Sequence, residues 1–183
     1  DFYLQHYRSN HYQWENDFNK TLRFHIGGEV AYPTKWVKPK LKVAFENITQ
    51  HIYFDENGLP KQMDGNIQVL AADLQLNITT PWLNLDNSIV YQHSSSATLP
   101  LPTLTMYNNL YYHGTWVKAL DVQIGVDMRF FTKYYAPVLN PALGQFCIQH
   151  KEQVGNYPVI NVYANFYVKH IRLKLFAQYQ HLN

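Results

Sequence analysis

The sequence predicts an all-β fold, an antiparallel up-and-down transmembrane β-barrel with at least eight strands in this chain. Three observations lead to this prediction. Apolar and polar residues alternate in eight segments, which indicates strands with two different faces. No apolar run approaches the roughly 18 residues of a membrane-spanning helix, so the chain could cross a bilayer only as strands of a closed barrel. Short and long connections between the segments also take turns along the chain.

The alternation is clearest in "LDVQIGVDMRFF" (120–131), where an apolar residue occupies every second position. A tilted strand needs roughly 9 to 11 residues to cross a bilayer, and every segment reaches that length. No segment shows a helical stripe over three turns, so no helix is predicted. The predicted strands are 22–32, 39–54, 66–80, 85–95, 103–114, 119–134, 158–168 and 171–182.

The connections alternate in length. Those at 33–38, 81–84, 115–118 and 169–170 are short, whereas 55–65, 96–102 and 136–157 are longer. Consecutive connections of an up-and-down sheet lie at opposite ends, so all short turns should lie at one rim and all long loops at the other. The loop 136–157 is long enough to be either a functional loop that folds over or into the barrel, or a mobile surface segment.

Alternation alone does not tell lipid from a protein core, because a soluble barrel and a membrane barrel share the same period. Aromatic residues favour lipid: they make up 16% of the chain, and Trp and Tyr prefer the membrane–water interface. Further tyrosines gather toward strand ends, at 91, 107, 111, 112, 157 and 163. We predict an aromatic girdle that includes Trp36, Trp82, Trp116, Tyr134 and Tyr135.

The cost of burying charge in lipid predicts which side of each strand faces water. A basic residue facing lipid at the midplane costs about 2–4 kcal/mol, so the charged positions should line a water-filled lumen. These side chains either give the passage ion selectivity or pair across strands and stiffen the wall; the sequence leaves both readings open. The predicted lumen-facing residues are Arg23, Glu29, Lys40, Lys42, Glu46, Asp73, Asp121, Asp127, Arg129, Arg172 and Lys174.

Several classes of function find no support in the sequence. The net charge is +2 and no basic run indicates nucleic-acid binding. Cys147 is the only cysteine and the nine histidines form no ligand signature, so neither a metal site nor a disulfide is predicted. No nucleophile motif or paired-carboxylate signature is present. We therefore expect no catalytic residue, no cofactor and no metal.

Two stretches carry a family resemblance: "ALDVQIGVDMRFFTKYYAPVLNPALGQF" (119–146) and "VGNYPVINVYANFYVKHIRLKLFAQYQHLN" (154–183). With a looser match back to "YQWENDF" near residue 12, the chain resembles the putative porin family of outer-membrane β-barrels from Bacteroidetes-type bacteria. The resemblance implies location in the bacterial outer membrane, and it favours a functional role for the loop 136–157.

The resemblance also implies a longer barrel, of which residues 1–183 look like the carboxy-proximal part of a single domain. The ending "QYQHLN" lacks the final aromatic residue expected of an outer-membrane assembly signal. The segment should therefore leave two open sheet edges, which lipid does not tolerate. Missing strands of the same polypeptide or a partner subunit should complete it, and an oligomer or complex is possible.

Three functions follow as expectations. The leading one is a porin-like channel for passive diffusion of small hydrophilic solutes. The alternative is a structural or partner subunit of a larger outer-membrane complex. A soluble lipocalin-like carrier, with an apolar ligand near Val122, Ile124 and Val126, ranks third.

Overall fold

The computed structural model describes residues 2–182, and nearly all of its regular structure is β. One short helix, α1 (Phe2–Gln5), begins the described chain. The fourteen strands are β1 (His6–Arg8), β2 (Gln13–Glu15), β3 (Leu22–Ala31), β4 (Val37–Thr49), β5 (Ile52–Phe54), β6 (Pro60–Gln62), β7 (Asn66–Thr79), β8 (Leu83–Ser94), β9 (Leu104–Trp116), β10 (Leu120–Phe131), β11 (Val138–Asn140), β12 (Gln145–Cys147), β13 (Val159–Val168) and β14 (Leu173–Tyr179).

The long strands form one antiparallel sheet in the order β14-β13-β10-β9-β8-β7-β4-β3. Each long strand pairs with the next long strand along the chain, so the sheet is an up-and-down meander, as the sequence predicts. Short turns join β3 to β4, β7 to β8, β9 to β10 and β13 to β14 at one end of the sheet, which we call the turn end. The longer connections lie at the opposite, loop end.

The eight predicted strands are confirmed, but three of them are shorter than predicted. The segment 39–54 does not remain in one strand: β4 ends at Thr49, and β5 belongs to a different sheet. Gln50, with a φ of 56°, turns the chain there, and its N–H donates to the Gly65 carbonyl at 3.0 Å. The predicted strand 119–134 ends at Phe131, and 171–182 shortens to Leu173–Tyr179. Helix α1 is a single turn, and no periodic pattern in the sequence predicts it.

A second unit, the loop cap, consists of residues 2–16, 52–62 and 138–147. Its sheet has the order β11-β12-β5-β6, with β12 parallel to β5 through the pair Cys147 and Phe54. Trp14, Phe54 and Cys147 are its buried centre, and this is the one cluster of buried apolar residues within residues 2–182. The side chains packed around that centre are Tyr3, Leu4, Tyr7, Tyr12 and Leu143.

Strand register sorts the large sheet into two chemically different faces, because residues directly opposite each other point to the same side. The polar face carries Asp121, Gln123, Gly125, Asp127 and Arg129 of β10 together with their cross-strand partners. The apolar face carries the intervening residues of β10, which are Leu120, Val122, Ile124, Val126, Met128 and Phe130. This division continues through the other strands with exceptions, among them Asn87 and Asn108 on the apolar face and Ile67 and Val69 on the polar face.

The apolar face is the more exposed of the two. Ile124 and Val126 are 40% and 43% exposed, whereas Asp127 between the same strands is 9% exposed and Gly125 is buried. Val122 of the same strand is fully buried, but among the described residues no other element forms a second layer on the apolar face. Soluble domains usually bury their apolar side chains and expose their charged side chains.

The sheet does not close on itself within the described residues. It begins at β3 and ends at β14, and these two strands each have one paired neighbour. Every residue of β3 and of β14 is exposed. The segment is thus an open sheet with two free edges, consistent with part of a barrel.

Candidate functional site

The polar face gathers the charged side chains that the sequence singles out, with one exception. Arg172 lies in the turn between β13 and β14, with a φ of 53°, so strand register assigns it to neither face. The members on the polar face are Arg23, Glu29, Lys40, Lys42, Glu46, Asp73, Asp121, Asp127, Arg129 and Lys174.

Charges on β3 and β4 pair with each other across the strands. Arg23 Nη2 donates to Glu46 Oε2 at 2.8 Å. The Glu29 carboxylate forms ion pairs with Lys40 Nζ at 3.2 Å and with Lys42 Nζ at 3.7 Å. Solvent and salt screen exposed pairs of this kind, so each contributes little to stability. Here the carboxylates lie between basic neighbours. The ion pairs therefore join β3 to β4 and leave little uncompensated charge in this part of the wall.

Carboxylates further along the sheet are also held by neighbours. Asp73 accepts hydrogen bonds from the Ser88 hydroxyl at 2.9 Å and from Gln75 Nε2 at 2.7 Å. Near the turn end, Asp121 accepts from the Thr115 hydroxyl at 2.5 Å and lies 2.9 Å from Lys169 Nζ.

Two basic side chains of the polar face, Arg129 and Lys174, lie beside aromatic rings and have no carboxylate partner among the described residues. The Arg129 guanidinium carbon lies 5.7 Å from the centre of the Tyr107 ring. Lys174 Nζ lies 5.9 Å from the centre of the Tyr167 ring. Cation–π contacts are worth about 0.5–1 kcal/mol at exposed sites, so each ring fixes a cation loosely while leaving its charge available to solvent.

The polar face is balanced in formal charge. Its basic members on the paired strands are Arg23, Lys38, Lys40, Lys42, Arg129 and Lys174, and its acidic members are Glu29, Glu46, Asp73, Asp86, Asp121 and Asp127. The two sets are equal in number, although four of the six basic residues lie on β3 and β4 and four of the six acidic residues lie on β7, β8 and β10. Such a surface attracts neither ion class strongly, in contrast to the single-sign rings of selective pores.

A network of tyrosine and amide side chains occupies the middle of the polar face. The Tyr163 hydroxyl donates to Asn109 Oδ1 at 2.9 Å, and its ring passes over Gly125. Gln123 Oε1 accepts from Asn165 Nδ2 at 3.2 Å. These side chains therefore bond sideways within the face, across β9, β10 and β13.

Sequence reasoning missed this network. It assigned tyrosines at strand ends to an interfacial girdle, but Tyr107, Tyr111 and Tyr163 lie on the polar face. Gly125 was the available signal, because a glycine inside a strand often marks the close approach of another group. Its two register partners are Tyr111 and Tyr163.

Three of the predicted girdle residues lie together at the turn end. Trp36, Trp82 and Trp116 are 43%, 60% and 45% exposed. Backbone hydrogen bonds join two of these turns to the next strand pair: the Trp36 carbonyl accepts from Thr79 N–H at 2.8 Å, and the Trp82 carbonyl accepts from His113 N–H at 2.9 Å. Large aromatic side chains thus follow the rim from turn to turn.

The other two predicted girdle residues, Tyr134 and Tyr135, lie at the loop end and are half-buried. Tyr134 forms an isolated antiparallel bridge with Val154, with hydrogen bonds of 3.1 and 3.0 Å. The Tyr135 ring lies 5.6 Å from the His150 ring. Both are thus engaged with the long loop 136–157.

The loop cap is ordered by polar as well as apolar contacts. Asp55 accepts from the Asn57 and Leu59 N–H groups, both at 2.9 Å, and from Lys61 Nζ at 2.9 Å. Burial raises the pKa of this carboxyl, but the hydrogen bonds from Lys61 and the two N–H groups outweigh burial and bring the pKa below its usual value. The Tyr12 hydroxyl accepts from Asn140 Nδ2 at 2.8 Å, which ties the amino-terminal segment to the long loop.

Cys147 lies buried within the cap, where burial raises the pKa of its thiol. A cavity of about 600 Å³ next to it is lined by residues of the long loop and by Glu56. Within residues 2–182, no group of three or more His, Cys, Asp or Glu side chains is arranged to hold a metal ion. No helix in that range is long and apolar enough to span a membrane.

Comparison with known proteins gives one match. A family model described as "Putative porin" matches residues 1–183. No curated protein and no solved structure matches the chain.

Proposed function

This chain belongs to the putative porin family, and on that premise we propose that it forms part of the wall of an outer-membrane channel. Small hydrophilic solutes would diffuse passively along its polar face, while its apolar face contacts the acyl chains. The bore, the loops and the charges of the wall decide which solutes pass. No chemical reaction is part of this function.

One observation supports the proposal above the others: the apolar face is the exposed, uncovered side of the sheet. Leu41 and Val43 of β4 are 43% exposed, and Leu110 of β9 is 48% exposed. An apolar surface that extends over eight strands far exceeds the patches of about 300–600 Å² found on ordinary soluble monomers. Acyl chains are the partner that matches an apolar surface of this extent.

The same arrangement argues against a soluble lipocalin-like carrier. Such a carrier turns its apolar side chains inward around the ligand. Here Ile124 and Val126 are exposed on a face that no other element among the described residues covers, so they do not enclose a ligand.

The wall needs further strands, because lipid leaves unpaired backbone groups without partners. The free edges of β3 and β14 are the places where such strands would pair. We propose that they come from the same polypeptide, and that the charged residues of the polar face, including Asp127 and Arg129, then border the lumen.

Conductance of the full-length protein in a planar bilayer tests the channel. We expect stepwise currents with weak preference between K⁺ and Cl⁻, since the charges of the polar face balance. Glu46→Gln removes one carboxylate of the polar face and should shift the reversal potential toward anion preference, whereas Asp64→Asn, outside the sheet, should not. A folded, inserted protein without conductance would contradict the proposal.

A second candidate is a structural barrel subunit of a larger outer-membrane complex. The complete exposure of β3 and β14 favours it, because free edges can also pair with strands of another polypeptide. Purification in mild detergent distinguishes the two: a stoichiometric partner that remains bound, together with absent conductance, would support the scaffold role.

A further inference from the structure

A separate cavity lies on the polar face near the turn end. Its volume is about 370 Å³, within the range of about 300–1,000 Å³ typical of small-molecule sites. Residues of β9, β10, β13 and β14 line it, so it lies in the half of the sheet that ends at β14.

Strand register arranges seven of the ten lining residues in two rows of the polar face. The other three, Val122, Phe166 and Leu175, form the row between them, whose side chains belong to the apolar face. One of the two polar rows contains His113, Gln123, Asn165 and Phe176, and the other contains Asp121, Tyr167 and Lys174. Each row crosses adjacent strands directly, so the side chains of both polar rows project from the same side. An amide row therefore lies beside a row that holds one carboxylate, one phenol ring and one ammonium group.

Phe176 is the anomaly in this arrangement. It is an apolar ring on the polar face, and it is 68% exposed. Its neighbours Leu175 and Ala177 point to the apolar face, so the apolar character of Phe176 is not needed for contact with lipid. A ring in this position offers a flat apolar surface directly beside the amide of Asn165.

The chemistry of the lining selects a solute class. Amide side chains both donate and accept hydrogen bonds, which matches hydroxyl groups that do the same. Aromatic rings offer flat apolar surface, which matches the C–H face of a sugar ring. A simple anion would use only donors, and it would meet the Asp121 carboxylate and the amide oxygens of Gln123 and Asn165 in the same cavity.

We propose that this cavity is a binding subsite for a neutral polyhydroxylated solute. Phe176 and Tyr167 contact the C–H side of a sugar ring, while Gln123 and Asn165 form hydrogen bonds with its hydroxyl groups. The inference rests on the proposed function, because it names the solute class that would meet the same polar face. Lys174, whose ammonium group lies near the Tyr167 ring, borders the site and adds a hydrogen-bond donor.

Calorimetric titration of the full-length protein in detergent tests the subsite, with maltose, glucuronate and inorganic phosphate as separate probes. We expect maltose to bind, and we expect Phe176→Ala and Gln123→Ala each to weaken its binding about five- to tenfold, the loss of one ring or amide contact. Leu173→Ala, a change on the apolar face of β14 outside the cavity, should leave the affinity unchanged. If Phe176→Ala fails to fold, Gln123→Ala decides alone.

Two results would overturn the subsite: phosphate or glucuronate binding more tightly than maltose, or equal maltose affinity in the wild type and the folded variants. If Phe176 serves only to pack against a further strand, its replacement lowers stability and leaves maltose affinity unchanged. Conductance of the same preparations separates this test from that of the channel. Current without maltose binding rejects the subsite alone, and maltose binding without current rejects the channel alone.

Discussion

The ring of Tyr163 lies over Gly125, so close that a methyl group added to Gly125 would come within 2.6 Å of the Tyr163 Cζ atom. Tyr111 limits the same space from the other side, with its Cβ at 2.8 Å. The glycine is therefore the position that allows two bulky rings to flank one point of the polar face.

Gly125→Ala should destabilise the protein by about 1–3 kcal/mol, the range found for overpacked sites. Gly28→Ala is the matched control, because it lies in β3 of the same sheet with no atom within 4 Å of the added methyl group. The free energies of unfolding in urea, measured in detergent, compare the two variants. Equal values would mean that the Tyr163 ring moves aside without cost.

A charged side chain should be tolerated on the polar face of the sheet and not on the apolar face. Val43 lies on the apolar face, and Ala44, next to it, lies on the polar face opposite Gly27. Val43→Lys should cost about 2–4 kcal/mol in a bilayer if its position is near the midplane, and Ala44→Lys much less. Stability in lipid vesicles measures both; a larger loss for Ala44→Lys would reverse the assignment of the two faces.

The tryptophans at the turn end should report the membrane interface. Trp36, Trp82 and Trp116 are exposed at one rim, whereas Trp14 is 8% exposed inside the loop cap. In variants that retain a single tryptophan, lipids brominated near the headgroup should quench the fluorescence of the three rim residues. Trp14 should be quenched least. Strong quenching of Trp14, or quenching of the rim residues only by bromine at the bilayer centre, would contradict the predicted girdle.

The loop cap should loosen in acid. Burial raises the pKa of Asp55, but its hydrogen bonds from Lys61 and the backbone lower the pKa more. The folded cap is therefore more stable when the Asp55 carboxyl is ionised. This contribution to stability is complete above the unfolded pKa of about 3.9 and is lost as the pH falls through the lower folded pKa. Reaction of Cys147 with dithiodipyridine, which proceeds in acid, measures the opening.

Asp55→Asn should open the cap at neutral pH as well. A hydrogen bond to a charged group is worth about 1.5–3 kcal/mol, so the labelling rate of Cys147 should rise at least tenfold. Asp64→Asn, an exposed carboxyl between β6 and β7, is the control and should leave the rate unchanged. A Cys147 that reacts equally fast in all three proteins would show that Asp55 does not hold the cap.

The strands and the two faces could be predicted because the side-chain period of a strand is two and needs no long-range information. Every predicted strand from Leu22 onward occurs, and the charged residues fall on one side with Arg172 as the exception. The break at Gln50 could not be predicted, since alternation continues through it into Ile52 and Phe54. Its cause is a backbone turn and not a change of pattern.

The loop cap and the tyrosine network depend on distant partners. Cys147 pairs with Phe54, and Asn140 donates to Tyr12, 128 residues away in sequence. No local pattern encodes such contacts. Tyrosine adds a further ambiguity, because its ring suits lipid and its hydroxyl suits water, so the positions of Tyr107 and Tyr163 were decided by strand parity and not by residue type.

Asn109, Tyr163, Gln123 and Asn165 are held by one another rather than by solvent. Their rotamer freedom was lost when the sheet formed, so a visiting molecule does not have to freeze them again. The surface that it meets is pre-organised, with donors and acceptors already aimed. If solutes pass along this face as proposed, brief adsorption and not rearrangement of the wall should slow their transit, and the temperature dependence of transit should be shallow.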